Sequence, residues 1–193
     1  MATEVDIANK ALRMIGAREI TGFDEENSEV ARLVKTTYWD ILDAALEAHS
    51  WNFAMRRETL AADTSAPEWE FTKQYTLPVK PHFCLRVVRV NNEDEGTGRW
   101  KVEGRKVVTR LGDSIEILYV ERTTDSGNYS PLFIEALAAK LAAEWALPIT
   151  GNQSITNTMT VLFRDKIAEA RSMDSAVGIP DALNASEWLD ARW

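Results

Sequence analysis

The chain has 193 residues, 45% of them hydrophobic, which supports one domain with a core of its own that buries roughly 70% of the unfolded surface. A single cysteine, Cys84, and two distant histidines cannot build a disulfide, a zinc site or an iron–sulfur site, so a reducing compartment and no such cofactor are expected. A formal net charge of -8 argues against general nucleic-acid binding, which needs clustered Lys and Arg to displace counterions from phosphates.

The first twenty residues alternate charged and apolar side chains without the apolar run of a signal peptide. No stretch approaches the roughly eighteen apolar residues of a membrane span, so a soluble chain is expected. Thr3 with Asp6 resembles a capping box with Asp in place of Glu. Ile7, Ala8, Ala11, Leu12 and Ile15 then keep helical spacing up to Gly16, predicting a helix over 3–15. After a short acidic connection, Asn27 or Ser28 can cap a second helix over 28–49, whose apolar face runs Val30, Val34, Thr37, Tyr38, Ile41, Ala45 and Ala48. Glu25 and Glu26 suit the positive end of that helix's dipole.

Trp51 to Met55 reads as a chain reversal into an extended segment, and Pro67, Pro78 and Pro81 forbid a long helix between 62 and 82. Phe83 to Val90, Trp100 to Glu103, Lys106 to Arg110 and Ile115 to Val120 are short apolar or β-branched runs separated by turns, predicting a meander of strands. Ser130-Pro131 places a cap before proline at the first helical position. Ile134, Leu137, Ala138, Leu141 and Trp145 mark the stripe of a helix over 131–147 that stops at Pro148. Ile155, Met159, Leu162, Ile167 and Ala170 mark a fourth helix over 153–175. The expected class is α+β: a mainly helical, four-helix bundle with a small antiparallel β-sheet inserted at about 56–122, between the second and third helices. Residues 1–175 form one domain and 176–193 an extended C-terminal arm.

That arm has Gly178 and Pro180 and no sustained periodicity, yet carries Ile179, Leu183, Trp188, Leu189 and Trp193, side chains that favour docking over solvation. Of the seven tryptophans, Trp39, Trp51 and Trp145 fit a core, whereas the terminal ones fit an interface.

No common catalytic template finds its residues: there is no Walker-type phosphate loop, dinucleotide-binding glycine motif, nucleophile elbow or zinc-protease helix. His49 closes a helix and His82 sits beside Pro81, both in structural positions. Cys84 lies two residues from His82, on the same face of a regular strand, but without the third group that would orient such a pair, and reads as a small buried apolar residue. Asn91 to Gly96 starts like a calcium loop, but its twelfth position is Val102 where the bidentate glutamate belongs, so a solvated hairpin tip is expected.

The series Ile7-Ala8-Asn9-Lys10-Ala11-Leu12-Arg13-Met14-Ile15-Gly16, the turn Ile20-Thr21-Gly22-Phe23-Asp24-Glu25, and a helix ending in His49-Ser50-Trp51-Asn52-Phe53-Ala54 before Arg56-Arg57 and Leu60 resemble the N-terminal half of the phage tail tubular protein A family. These are the head-to-tail adaptors of short-tailed bacteriophages, and the chain also resembles adaptors of gene transfer agents. The 131–147 helix, the Leu162 to Ala170 helix and the end Ser186-Glu187-Trp188-Leu189-Asp190-Ala191-Arg192 extend the likeness over most of the chain. The strand meander and the 91–98 loop depart from it.

The resemblance implies a non-enzymatic virion protein without cofactors, assembled in the host cytoplasm and resident in the neck of the particle. Its subunits form a homo-oligomeric, dodecameric ring between the portal protein and the tail nozzle protein, and stay monomeric until the portal templates them. DNA passes through the channel without specific binding, and no membrane is involved. The carry-over makes Ile179, Leu183, Trp188, Leu189, Arg192 and Trp193 the portal-gripping or neighbour-gripping residues of the arm. An acidic conduit, stiff helices that present two different faces to a ring, and an aromatic tail agree with that expectation. The alternatives are a virion-associated peptidoglycan hydrolase, which two of the thirty Asp and Glu residues could serve, and an unrelated soluble interaction module.

Overall fold

The computed structural model describes residues 2–25, 28–94, 98–110 and 112–177. Among them are four α-helices and seven strands, in the order α1 (Glu4–Met14), α2 (Glu29–Glu47), β1 (Met55–Ala61), β2 (Lys73–Thr76), β3 (Cys84–Val90), β4 (Glu93–Asp94), β5 (Trp100–Glu103), β6 (Lys106–Thr109), β7 (Ser114–Glu121), α3 (Pro131–Thr150) and α4 (Gln153–Val177). The class is α+β, as the sequence predicts.

Helix starts follow the capping residues. The Thr3 hydroxyl accepts from Asp6 N–H while the Asp6 carboxylate accepts from Thr3 N–H, a complete capping box. Ser28 caps α2 through Ala31 N–H, and Ser130, with Pro131 behind it, caps α3 through Phe133 N–H.

The ends of the last two helices differ from expectation. α3 continues through Pro148 to Thr150 and stops where Gly151 takes a left-handed conformation (φ 65°) and returns its N–H to Leu147 C=O. Proline costs the hydrogen bond to the carbonyl of residue 144, but in the last turn and facing solvent that cost does not break the helix. α4 reaches Val177 rather than 175, since Ala176 favours the helix.

α3 is the hub on which α1, α2 and α4 pack. It therefore buries far more than the predicted stripe: Phe133, Ala136, Ala139, Ala142 and Ala146 are enclosed together with Leu137, Ala138, Leu141 and Trp145. The run of alanines lets three helices approach one helix closely. Trp145 donates its indole N–H to Thr37 Oγ1 (2.9 Å), tying α3 to α2, and Lys10 pairs with Glu135 between α1 and α3.

The strand region forms two antiparallel sheets, not one meander: a four-stranded sheet ordered β1-β7-β3-β4 and a three-stranded sheet ordered β2-β6-β5. β1 and β7 pair along their length, from Met55 opposite Val120 to Ala61 opposite Ser114, closing the insertion at its base. The larger sheet is a shared layer. One face meets the helices through Met55, Leu85, Val88 and Val120. The other packs Leu60, Val87, Val90, Ile115, Ile117 and Tyr119 against Tyr75, Trp100 and Val107 of the smaller sheet.

β3 performs this division with two register shifts, between Cys84 and Arg86 and between Val87 and Arg89. In a regular strand every second residue shares a face. Each bulge resets the phase by one, so Cys84, Val87 and Val90, three apart, all face the inter-sheet core.

Candidate interaction site

The segment His49-Ser50-Trp51-Asn52-Phe53-Ala54 joins α2 to β1, and each of its six residues is held. His49 Nε2 lies 3.1 Å from Asp174 Oδ2, and Asn52 donates its backbone N–H to the same carboxylate (3.2 Å) and its side-chain amide to the Asp174 carbonyl (2.6 Å). Ser50 Oγ accepts from Arg86 of β3, whose Nε also donates to Glu47 C=O and so caps α2. Trp51 is enclosed and donates its indole N–H to Ala45 C=O (3.0 Å), while Phe53 joins Trp51, Tyr129 and Phe133 in an aromatic cluster. Ala54, just before β1, is buried in the helical core. Arg171 adds a further bond, Nη2 to Ala48 C=O (3.1 Å).

The combined effect is to fasten the last two turns of α4 to a rigid corner of the bundle. A helix end normally frays; this one carries charge-assisted and backbone hydrogen bonds from a segment some 122 residues away in sequence. The described end of α4 is thereby held against the corner after α2.

Beside the end of α4 lies an apolar groove of about 360 Å³, whose lining includes Phe53, Pro131 and Leu132 together with Ala170, Met173 and Val177 of α4. Met173 and Val177, one turn apart on α4, are 54% and 77% exposed. The arm residues themselves, Ile179, Leu183, Trp188, Leu189, Arg192 and Trp193, lie outside the described residues.

The turn after α1 is built the same way. Asn9 receives Ile20 N–H on its side-chain oxygen (2.8 Å) and gives its amide N–H to Ile20 C=O (2.9 Å), a two-way clamp that explains an Asn in this helix. Gly16 supplies the left-handed turn (φ 70°) between them. The Glu25 carboxyl is held below its ordinary range, chiefly by the hydrogen bond from Thr21 N–H, so its role is to brace this turn.

The residues weighed for chemistry have structural partners. His82 Nδ1 meets Glu121 Oε1 at 2.5 Å, and Cys84 points into the inter-sheet core, where burial pushes its thiol up to about 11. Asn91 and Asn92 make a left-handed turn, and Glu93 and Asp94 are engaged by Arg99 and Arg89, which closes β3 onto β4 as a hairpin. Among the described residues no three His, Cys, Asp or Glu side chains converge as metal ligands. A hollow of about 400 Å³ on the four-stranded sheet has Glu58 and Glu116 among its lining residues. Glu58 sits opposite Ile117 and accepts from Tyr119 Oη, whereas Glu116 sits opposite Thr59, so strand alternation sends the two carboxylates to opposite faces.

Of the tryptophans expected in the core, Trp51 and Trp145 are fully enclosed. Trp39 is 38% exposed, because it lies beside Tyr38 on α2 and only Tyr38 can point inward. Trp100 is buried between the sheets and Trp69 stands in solvent at 77% exposure.

Neither Asp174 nor Met173 stands out in the sequence. The only signal is that Ala170, Met173 and Val177 continue the spacing of the α4 stripe beyond the point where its neighbours turn polar. No protein-family model matches the chain, and a search of curated proteins finds no significant relative.

Proposed function

We propose that this protein is a structural virion protein, a head-to-tail adaptor whose subunits form a ring between portal and tail nozzle. The observation that carries the reading is the six-residue segment from His49 to Ala54. It belongs to the series that resembles the tail tubular protein A family, and it fastens the end of α4, which the terminal segment follows in sequence. An adaptor needs its gripping segment launched from a defined place on a stiff body, and these residues supply that place. The terminal arm, with Trp188, Leu189 and Trp193, provides the anchor side chains, and Arg192 a charged contact.

Charge supports the same reading. A subunit carrying -8 does not hold the phosphates of DNA, so a channel walled by such subunits lets the genome slide. The ring is heterologous, each copy offering one face to the next, and its number of subunits follows from the portal that templates it; twelve is the number the resemblance implies.

Purified protein mixed with portal rings tests the proposal by electron microscopy. The expected image is a second ring stacked on the portal, absent when residues 178–193 are deleted. Full-length protein that leaves the portal bare overturns the reading.

A further inference from the structure

We infer that the free edge of β1 accepts an extended acidic segment of a partner protein, which adds to the four-stranded sheet as a further strand beside Arg57 and Thr59. The inference does not rest on the adaptor reading, since it follows from the sheet alone.

In the order β1-β7-β3-β4, β1 has a strand on one side only. It pairs with β7 over all seven of its residues without a bulge, and neither proline nor glycine interrupts it, so its outer edge is regular. The ladder decides which backbone groups that edge presents. Ala62 N–H donates to Asp113 C=O (2.9 Å), continuing the same register, so Arg56, Glu58 and Leu60 also turn their N–H and C=O groups toward β7. The far flank of β7 agrees: Asn91 N–H donates to Glu116 C=O (2.9 Å), so Glu116 turns toward β3 and its opposite residue, Thr59, turns away from β7. Arg57 and Thr59 therefore aim their N–H and C=O groups at the open side, where no described residue receives them. Two such residues, two apart, are the repeat with which an added strand pairs.

Side chains select the strand. By alternation Arg57 and Thr59 share a face with Met55; the helices cover that face at Met55 and Val120, and beyond them it opens into the hollow of about 400 Å³. Across its first row lie Arg57, Leu118 and Arg89, opposite one another on β1, β7 and β3. Arg89 is held by Asp94, and Arg56 by Glu121, whereas Arg57 is exposed and has no acidic partner among the described residues. A strand added to β1 places one side chain directly opposite Arg57, and Asp or Glu is the residue that pairs there. Glu116 lies in the next row, one strand inward beside Thr59, so a small hydroxyl residue opposite Thr59 keeps the added acid away from it. Charged side chains at an edge deter chance pairing; here they also set the charge of the strand that is admitted.

Amide shifts of the uniformly labelled full-length protein, titrated with the capped peptide Thr-Val-Glu-Val-Thr at millimolar concentration, test this. The expected result is that the amides of Arg57 and Thr59 move downfield and gain exchange protection, while those of Arg56 and Glu58, already paired with β7, stay in place. The same peptide with Lys for Glu is expected to bind about tenfold more weakly, and Arg57→Glu, a change at an exposed side chain, to reverse that preference. Thr59→Pro removes only an outward N–H and is expected to abolish the response, with unaltered shifts in β7 and α3 verifying the fold. Arg57 and Thr59 amides that ignore the peptide overturn the proposal. Equal binding of the Glu and Lys peptides overturns it as well, and so does exchange protection of these two amides without peptide, which would show the edge already occupied.

Discussion

Tyr38 lies at the centre of the helical core with Phe23 5.1 Å from its ring, and its hydroxyl is buried without a hydrogen-bond partner. Burial raises its pKa, so the group stays neutral and its cost is an unpaired dipole. Removing the hydroxyl leaves no orphaned partner behind. Tyr38→Phe is therefore expected to leave stability unchanged or raise it by about 1 kcal/mol in urea unfolding; a loss of that size would reveal a partner for the hydroxyl. Cys84 gives a pH-dependent counterpart. With its thiol pushed up to about 11, mainly by burial, little thiolate exists at pH 8 in the folded chain. Labelling by a disulfide reagent is expected to be slower than in the unfolded chain by on the order of 10²-fold, and to accelerate as pH rises toward that value. Both residues were readable in sequence as apolar-face positions. The missing partner and the depth of burial were not, because they depend on what packs opposite.

Among the elements, α3 shows most clearly how far a local pattern reaches. Its start at Ser130-Pro131 is a short-range signal and the structure reproduces it, whereas the rule for isolated helices ends it at Pro148. Tertiary packing of Trp145 and Ala146, both enclosed, carries the helix past the proline to the cap at Gly151. Pro148 is exposed, so Pro148→Ala restores a backbone donor without disturbing packing and is expected to stabilise the protein by about 1–3 kcal/mol, measured as a shift of the urea midpoint. β3 is the complementary case. Its apolar residues predict a strand, but two bulges decide which of them face the helices and which the second sheet.

For the whole molecule, the two cores described above share β7 and β3, and Arg122 pairs with Asp43 to join the strand region to α2. The end of α4 is secured from within the body through His49, Asn52 and Arg171. Deleting residues 178–193 is accordingly expected to preserve helix content and cooperative unfolding, with the midpoint lowered by no more than about 5 °C. Circular dichroism checks this. Collapse of the fold would place the segment within the core and remove it as a gripping arm.

The amino-acid sequence by itself determined the helix starts, most strand positions, the class of the fold and the apolar character of the terminal segment. Capping, periodicity and turn chemistry act within a few residues, so one chain suffices to read them. Only the tertiary structure decided that the strands divide into two sheets, that α3 is buried nearly all round, and that Asp174 meets the corner after α2. Those outcomes rest on contacts between residues far apart in the chain, where the gain comes from filling a shared space and pairing buried polar groups, and no local spacing encodes which distant partner does so.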